Sequence, residues 1–591
     1  MTAYKAPINE FIFLLKHLVN YDAHAELPGY EEVGMEMVEA VLPEAAKFFE
    51  NIIAPTNLEA DHQGTQLNDG EVAIAPAIKG LGAQMSDAGW TGLGGSKDYD
   101  GSGFPGVVDL AVQEMLQSAN MSLSLLPLLT KGVIHALSLY GTDLQKQLFL
   151  PNLTNGSWSG TMNLTEPQAG SDLSTIKCKA VPSDDHYLIT GQKIYITWGE
   201  HDQTENIIHL VLARLPDAPE GTQGISMFLV PKYIVNSDGS PGERNDVKVA
   251  GLEKKLGIHG SPTCTMIYGD NGGATGYLVG PENKGLMCMF SMMNNARLSV
   301  GHQGVAVGER AYQQAVSFAE QRLQGQSAHA EGRSPIIHHP DVKRMLLTMR
   351  ALTEGGRAIS FFTIAAEDRS KHQPLGQEDC FDSQIVEVMT PLVKGWCTEA
   401  SMEIASLGVQ VHGGMGFVEE TGAAQYMRDA RILPIYEGTN GIQALDFVGR
   451  KSLRDGGQAL SKLISEMKLD CQKCLEIDGD LGQLLELLAK TISQCQDALD
   501  HLLSNPEKAS YVAFNQMMLF GNSFAYWLLT RLAFSALTEI NNGSGERYLF
   551  QKISTAKFFA SQILPRNASY LDGILNEIDS FDEFSVEDYA R

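Results

Sequence analysis

The sequence predicts a multidomain, mainly α-helical protein with a central β domain and an additional C-terminal helical extension. Three observations carry this. Apolar residues recur at helical spacing up to about residue 155 and again from about 284 onward. Between about 158 and 282 the period drops to two, in runs rich in β-branched and aromatic residues. Finally, 591 residues are too many for one hydrophobic core. The predicted boundaries are 1–157 (helical), 158–283 (antiparallel β), 284–452 (helical) and 453–591 (helical extension).

In the first zone Val33, Met37, Val38, Val41 and Leu42 form one apolar stripe, and a second runs from Leu110 to Leu126. Gly-rich connectors such as Gly92–Gly95 and Gly101–Gly103 separate these helices. In the second zone the runs 187–190, 193–197, 207–212 and 225–230 read as strands of a mostly antiparallel domain, with turn pairs such as Asp184-Asp185 between them. In the third, Gly301, Gly304 and Gly308 make a glycine stripe on one helix, which predicts close approach of another backbone. The polar stretch Asp455-Gly-Gly-Gln458 precedes a last helical zone with Leu484, Leu485, Leu488 and Ile492, then the run Phe524–Leu537. No strand–G-x-G-x-x-G–helix unit occurs. His412–Gly416 has the wrong spacing and follows a helical pattern, so a dinucleotide-type cofactor would have to be held in another way.

Forty-four basic against 71 acidic side chains give a net charge of −27, which argues against nucleic acid or an anionic membrane as partner. An anionic substrate would need a local basic patch, for which Arg297 and Arg322 are the candidates. Among eight cysteines only Cys471 and Cys474 form a C-x-x-C, on a helical pattern without a second pair at zinc spacing. No metal site and a reducing compartment are expected. The run Phe11–Leu15 is too short to span a bilayer, no leader signature accompanies it, and no other stretch reads as membrane length. The expected location is cytoplasmic.

The segment Arg428–Asn440 is the most informative chemically. It sets Glu437 in an apolar run, before a glycine that can open the backbone and a Thr-Asn pair suited to capping a helix. A carboxylate among apolar neighbours has its charged form disfavoured and becomes a stronger general base. A second segment, Thr165-Glu-Pro-Gln-Ala-Gly-Ser-Asp172, lies roughly 270 residues earlier. Together the two resemble the signatures of the acyl-CoA dehydrogenase family, over roughly residues 85–450.

That resemblance implies the family's helix–β–helix fold, FAD as cofactor and conversion of an acyl-CoA to the trans-2-enoyl-CoA. Glu437 would take the α-proton, with flavin N5 taking the β-hydride and the Glu437 backbone N–H polarising the thioester carbonyl. By the same match Met162, Leu164, Thr165 and Ser171 would contact the flavin. Tyr195-Ile196-Thr197 looks like the family's aromatic-Ile-Thr strand; relatives often have Trp at the first place, and Trp198 follows here, so which aromatic stacks on the ring stays open. Arg322 matches an arginine on the flavin diphosphate, a role suited to its planar fork. His339, Gln410, Gly413, Gly414, Thr439 and Asn440 match further cofactor positions, the Gln-x-x-Gly-Gly element serving a neighbouring subunit. Asn294 and Arg297, matched to a helix start, would bind substrate together with Ser171, Tyr436 and Gly438.

The extension beyond residue 450 resembles the long bacterial subgroup, which includes enzymes acting on 3-(methylthio)propanoyl-CoA and on ordinary fatty acyl-CoAs. The subgroup implies a homodimer, with electron-transfer flavoprotein as electron acceptor. The alternatives are an acyl-CoA oxidase or other flavin oxidase on the same fold and, from another class, a non-catalytic helical scaffold.

Overall fold

The computed structural model describes residues 3–327, 332–372, 381–477, 479, 481–576 and 583–589. The chain forms two compact units, Ala3–Ala6 with Glu32–Ser299 and Pro7–Glu31 with Val300–Arg591.

In the first unit the stripe from Leu110 to Leu126 is not one helix but two, α1 (Gly106–Ala119) and α2 (Met121–Tyr140). Asn120 breaks them: its backbone is extended and its side chain accepts the Leu123 N–H, capping α2. By length and composition α2 is apolar enough to cross a membrane, which the sequence reading overlooked, and 72% of its most apolar window is buried in the protein. Two of its hydroxyls are satisfied within the helix: those of Ser124 and Thr130 donate to the Met121 and Leu126 carbonyls. It is a core helix of this unit.

Beside α2 lies an eight-stranded sheet. Its strands are β1 (Trp158–Asn163), β2 (Lys179–Ser183), β3 (His186–Thr197), β4 (Asn206–Arg214), β5 (Ile225–Pro231), β6 (Val247–Leu252), β7 (Thr263–Tyr268) and β8 (Ala274–Val279). The order is β6-β7-β3-β8-β5-β4-β1, with β2 against β3. The sequence predicts two runs where β3 is one strand. Gly191 carries it through at φ +143°, where an added Cβ would lie 2.4 Å from the Cys178 sulfur. It also misses β1, which pairs in parallel with β4. All six β1 residues are buried, so the strand shows no alternation to read.

The second unit is helical. The helix α3 (Gly285–Gln321) begins in the first unit and continues into the second, followed by α4 (Pro340–Lys371) and α5 (Phe381–His412). The glycine stripe does what its spacing predicts. A Cβ on Gly301 would sit 2.5 Å from the Val393 carbonyl oxygen and one on Gly304 2.6 Å from that of Cys397, both on α5. Gly304→Ala should therefore cost about 1–3 kcal/mol through overpacking, read as a lowered Tm. An unchanged Tm would mean that α3 and α5 can part freely.

The run Phe11–Leu15 is part of the core: Phe11, Leu14 and Leu15 are fully buried. Glu10 beside it accepts from Lys552 Nζ (2.7 and 2.9 Å), and Lys552 also donates to Glu354 on α4 (2.7 Å). This buried triad explains why residues 7–31 belong with the C-terminal unit. Cys471 and Cys474 lie on α6 (Gln458–Leu475), and burial pushes the Cys474 thiol up to about 11. Among the described residues no group of three or more His, Cys, Asp or Glu could hold a metal.

Candidate active site

The first unit carries the loop that leaves β1. Its anchor is Glu166, 3% exposed, whose Oε1 accepts from the fully buried Lys193 Nζ at 2.8 Å. The Lys177 and Cys178 N–H groups donate to the same carboxylate (2.6 and 3.1 Å), and Lys193 also donates to the Leu164 carbonyl (2.9 Å). Glu166 and Ala169 exchange two backbone hydrogen bonds, and the Ile194 N–H donates to the Thr165 carbonyl. Burial by itself would raise the Glu166 pKa, but the Lys193 ammonium and the two N–H donors hold it below the usual carboxylate range.

Moored this way, the loop leaves Leu164 and Thr165 half-buried and Gly170, Ser171 and Asp172 exposed, while Met162 is buried at the end of β1. Sequence reasoning singled out neither Glu166 nor Lys193. The available signal was a lysine inside an otherwise apolar and aromatic strand.

Farther along β3 the register against β7 shifts between Cys264 and Met266, opposite Tyr195. Tyr195 takes φ +61° there, a left-handed conformation unusual for a residue with a Cβ, and its side chain is 61% exposed. Trp198 is fully buried instead, its indole N–H donating to the Ser122 carbonyl at 3.2 Å. Of the two aromatics left open by the sequence, only Tyr195 presents its ring to solvent. Ile196 is 2% exposed, so its side chain belongs to the core and only its backbone remains for a ligand; Thr197 is half-buried.

Two expectations about α3 need correction. Asn294 is not at a helix start but nine positions after Gly285, where α3 begins. Arg297 is only 4% exposed and donates to Asn294 Oδ1 (3.3 Å), so the pair is an i,i+3 contact along the helix and Arg297 is no part of an open basic patch.

In the second unit the Glu437 loop connects a short helix, Ala423–Ala430, to α7 (Asn440–Val448). Glu437 and Gly438 are both left-handed, at φ +56° and +86°. Gln443 Nε2 donates to the Glu437 carbonyl (3.1 Å), Lys394 Nζ to the Gly438 carbonyl (2.7 Å), and the Asn440 N–H to the Pro434 carbonyl (3.0 Å). Glu437 itself is half-buried. The exposed Thr439 caps α7 through its hydroxyl and the Ile442 N–H. Asn440 is 4% exposed, and its amide is committed to Lys394, Thr398, Glu399 and the Gly395 carbonyl. Tyr436 likewise spends its hydroxyl on Gln303 Oε1, and burial pushes its pKa well up.

Arg322 follows the last turn of α3, exposed, with no hydrogen-bond or ion-pair partner for its side chain among the described residues. The His339 ring pairs with the Gln324 carbonyl (2.7 Å) just before α4, which makes it a brace for that turn. Gln410 is exposed in the last turn of α5, Gly413 ends that helix at φ +60°, and nothing lies within 4 Å of a Cβ built on Gly414.

These elements suit a flat, phosphorylated cofactor. Within the first unit Thr165, Ser171 and Thr197 offer hydrogen-bonding groups at accessible positions and Tyr195 an exposed ring; within the second, Arg322 offers an exposed guanidinium.

Four family models match in order: the acyl-CoA dehydrogenase N-terminal domain over residues 36–157, the middle domain over 161–271, the C-terminal domain over 283–452, and an acetyl-CoA dehydrogenase C-terminal-like domain over 463–583. The 3-methylmercaptopropionyl-CoA dehydrogenase of Ruegeria pomeroyi is 48% identical over 570 residues, covering 95% of this chain and 96% of that protein. The chain belongs to the acyl-CoA dehydrogenase family. It is therefore an oxidoreductase of acyl-CoA thioesters with FAD as cofactor. A broad-specificity linear acyl-CoA dehydrogenase of Mycobacterium tuberculosis is 31% identical, with 99% of this chain and 100% of that protein covered. The structure of Caenorhabditis elegans ACDH-11 in complex with C11-CoA superposes with a TM-score of 0.77 at 18% identity, over 98% of this chain and 96% of that one, a likeness of fold.

Proposed function

We propose that this acyl-CoA dehydrogenase oxidises 3-(methylthio)propanoyl-CoA or a saturated acyl-CoA of similar size, with Glu437 as the base. The observation that carries the assignment of the base is the Glu437 loop: a half-buried carboxylate on a left-handed turn, held by Gln443 and Lys394 through backbone carbonyls. The 48% relative supports the substrate.

In the reaction the α C–H bond breaks, its proton passes to a Glu437 carboxylate oxygen and its electron pair forms the new C=C bond. The hydride leaves from the β-carbon. Bound FAD supplies the hydride acceptor, because no side chain accepts hydride. Thr165, Ser171, the Ile196 backbone and Thr197 would supply hydrogen bonds to the cofactor, and Tyr195 a ring to pack on it. Arg322 would supply a guanidinium to the diphosphate. The Glu437 N–H polarises the thioester carbonyl, and Gly438 borders the substrate. The protein acts in the cytoplasm as a homodimer, with Gln410, Gly413 and Gly414 reaching a neighbouring subunit's cofactor and electron-transfer flavoprotein reoxidising the flavin. Met415 and Phe417 beside that element, 50% and 88% exposed, support a protein-covered face there.

Anaerobic titration with a panel of acyl-CoAs tests the reading. Bleaching of the flavin band near about 450 nm by 3-(methylthio)propanoyl-CoA, faster than by butanoyl- or octanoyl-CoA, is the expected result. Bleaching only by longer chains would transfer the substrate claim to fatty acyl-CoAs. Arg322→Ala should lower the flavin-to-protein ratio after dialysis by about tenfold in affinity, the weight of a charge-assisted contact. An unchanged ratio would remove Arg322 from the diphosphate.

A further inference from the structure

The Glu437 loop rests on a buried cation. Lys394 lies in the middle of α5 and is fully buried. Its ammonium donates to the Gly438 carbonyl at 2.7 Å and to Asn440 Oδ1 at 2.8 Å. The Asn440 amide passes the contact on to Glu399 Oε1 (2.8 Å) and Thr398 Oγ1 (2.9 Å), one turn further along α5.

The helix has no slack at this point. A Cβ on Gly395 would lie 2.2 Å from the Met517 sulfur of α8 (Ala509–Asn541). The lysine is thus mounted on a tightly packed backbone and aimed at the carbonyl one residue past the base.

Stability alone is a weak reason for such an arrangement. Removing an ammonium from water is costly even when it is hydrogen-bonded, and an apolar side chain of similar volume often serves a core as well. What an apolar residue cannot do is hold a carbonyl in one direction. The turn at Glu437 and Gly438 needs that, since a residue with a Cβ avoids the left-handed region unless its surroundings impose it. Gln443 Nε2 donates to the Glu437 carbonyl as Lys394 does to that of Gly438, so both left-handed peptide units are gripped.

We infer that Lys394 is a positioning residue for the dehydrogenation: its ammonium, through Gly438 and Asn440, imposes the left-handed turn that orients the Glu437 carboxylate for α-proton removal. This rests on the assignment of Glu437 as the base.

The test uses full-length holoenzyme, with Lys394→Met, Lys394→Gln and Glu437→Gln measured together. The readout is the anaerobic rate of flavin bleaching per bound flavin, with 3-(methylthio)propanoyl-CoA and its α-dideuterated form. Lys394→Met should lower the saturated rate by about 10- to 100-fold, the size of effect a misplacement near 1 Å produces, with half-saturation unchanged. The α-deuterium isotope effect should rise, because proton removal becomes more limiting. Lys394→Gln keeps a donor and should recover part of the rate.

A purely structural role would lower flavin content or Tm and leave the rate per flavin and the isotope effect alone, which would overturn the inference. If both Lys394 variants lose flavin, Asn440→Ser removes one of the ammonium's acceptors; the same drop supports the inference, and a wild-type rate overturns it. Turnover by Glu437→Gln would instead overturn the assignment of the base. A silent Glu437→Gln beside a wild-type Lys394→Met overturns the role of Lys394 alone.

Discussion

Glu437→Gln is expected to retain FAD and bind acyl-CoA yet lose turnover by about 10²- to 10⁴-fold, the usual worth of a positioned general base. The substitution is nearly isosteric and leaves the peptide in place, so the Gln443 and Lys394 bonds to the Glu437 and Gly438 carbonyls survive. What disappears is the group proposed to take the α-proton. The predicted signature is a flavin spectrum that shifts on adding acyl-CoA but does not bleach anaerobically. Bleaching at the wild-type rate would remove Glu437 from the chemistry. Glu437→Asp should lie between the two, because the carboxylate remains but is withdrawn by one methylene from a backbone held at φ +56°.

The second large effect is expected at the loop after β1. Lys193→Met leaves the Glu166 carboxylate buried with no cation, a loss of about 3–5 kcal/mol. It should appear as a lower urea midpoint and as weaker FAD retention, since Leu164 and Thr165 are tied to β3 through Lys193 and Ile194. Adding Glu166→Gln to Lys193→Met should recover much of the stability, because most of the cost is the orphaned charge. A Lys193→Met protein with the wild-type urea midpoint would show that the pair is not what moors the loop.

The pair also sets a pH dependence with a definite sign. In the folded protein the Glu166 pKa is held below its ordinary value of 4.5. Its stabilisation is therefore fully present above the unfolded value and is lost as pH falls through the depressed folded one. In Lys193→Met burial is no longer offset by the ammonium, so the folded Glu166 pKa should rise; the loss of stability on acidification should shrink, and once the folded value passes the unfolded one, falling pH should relieve the variant's destabilisation instead. Urea midpoints measured across acid pH for both proteins check this.

Much of this protein can be read along the chain because its signals are local. The change of hydrophobic period marks the β zone, the glycine stripe at 301, 304 and 308 foretells the approach of α5, and Thr439 before α7 is a cap by residue type alone. Glu437 stands out because a carboxylate, a glycine and a cap are adjacent in sequence. The family match extends the same local reading to Thr165, Ser171 and Arg322.

The rest depends on partners far away in sequence. Asn440 looks free until Lys394, 46 residues earlier, takes its amide oxygen. Glu166 looks like a turn residue until Lys193 is found fully buried against it, and Arg297 looks like a surface charge until α3 is seen to start at Gly285. Which of Tyr195 and Trp198 is accessible is set by a register shift between β3 and β7 at Tyr195, which leaves Tyr195 exposed while Trp198 is fully buried.

The sequence by itself determined the helical and β zones, the family and the residue we propose as the base, since periodicity, capping and contiguous motifs are properties of neighbouring residues. The tertiary structure decided which polar side chains are spent on holding the backbone and which remain available for ligands. A buried charge must find its partner wherever folding brings one, and no local pattern records that choice.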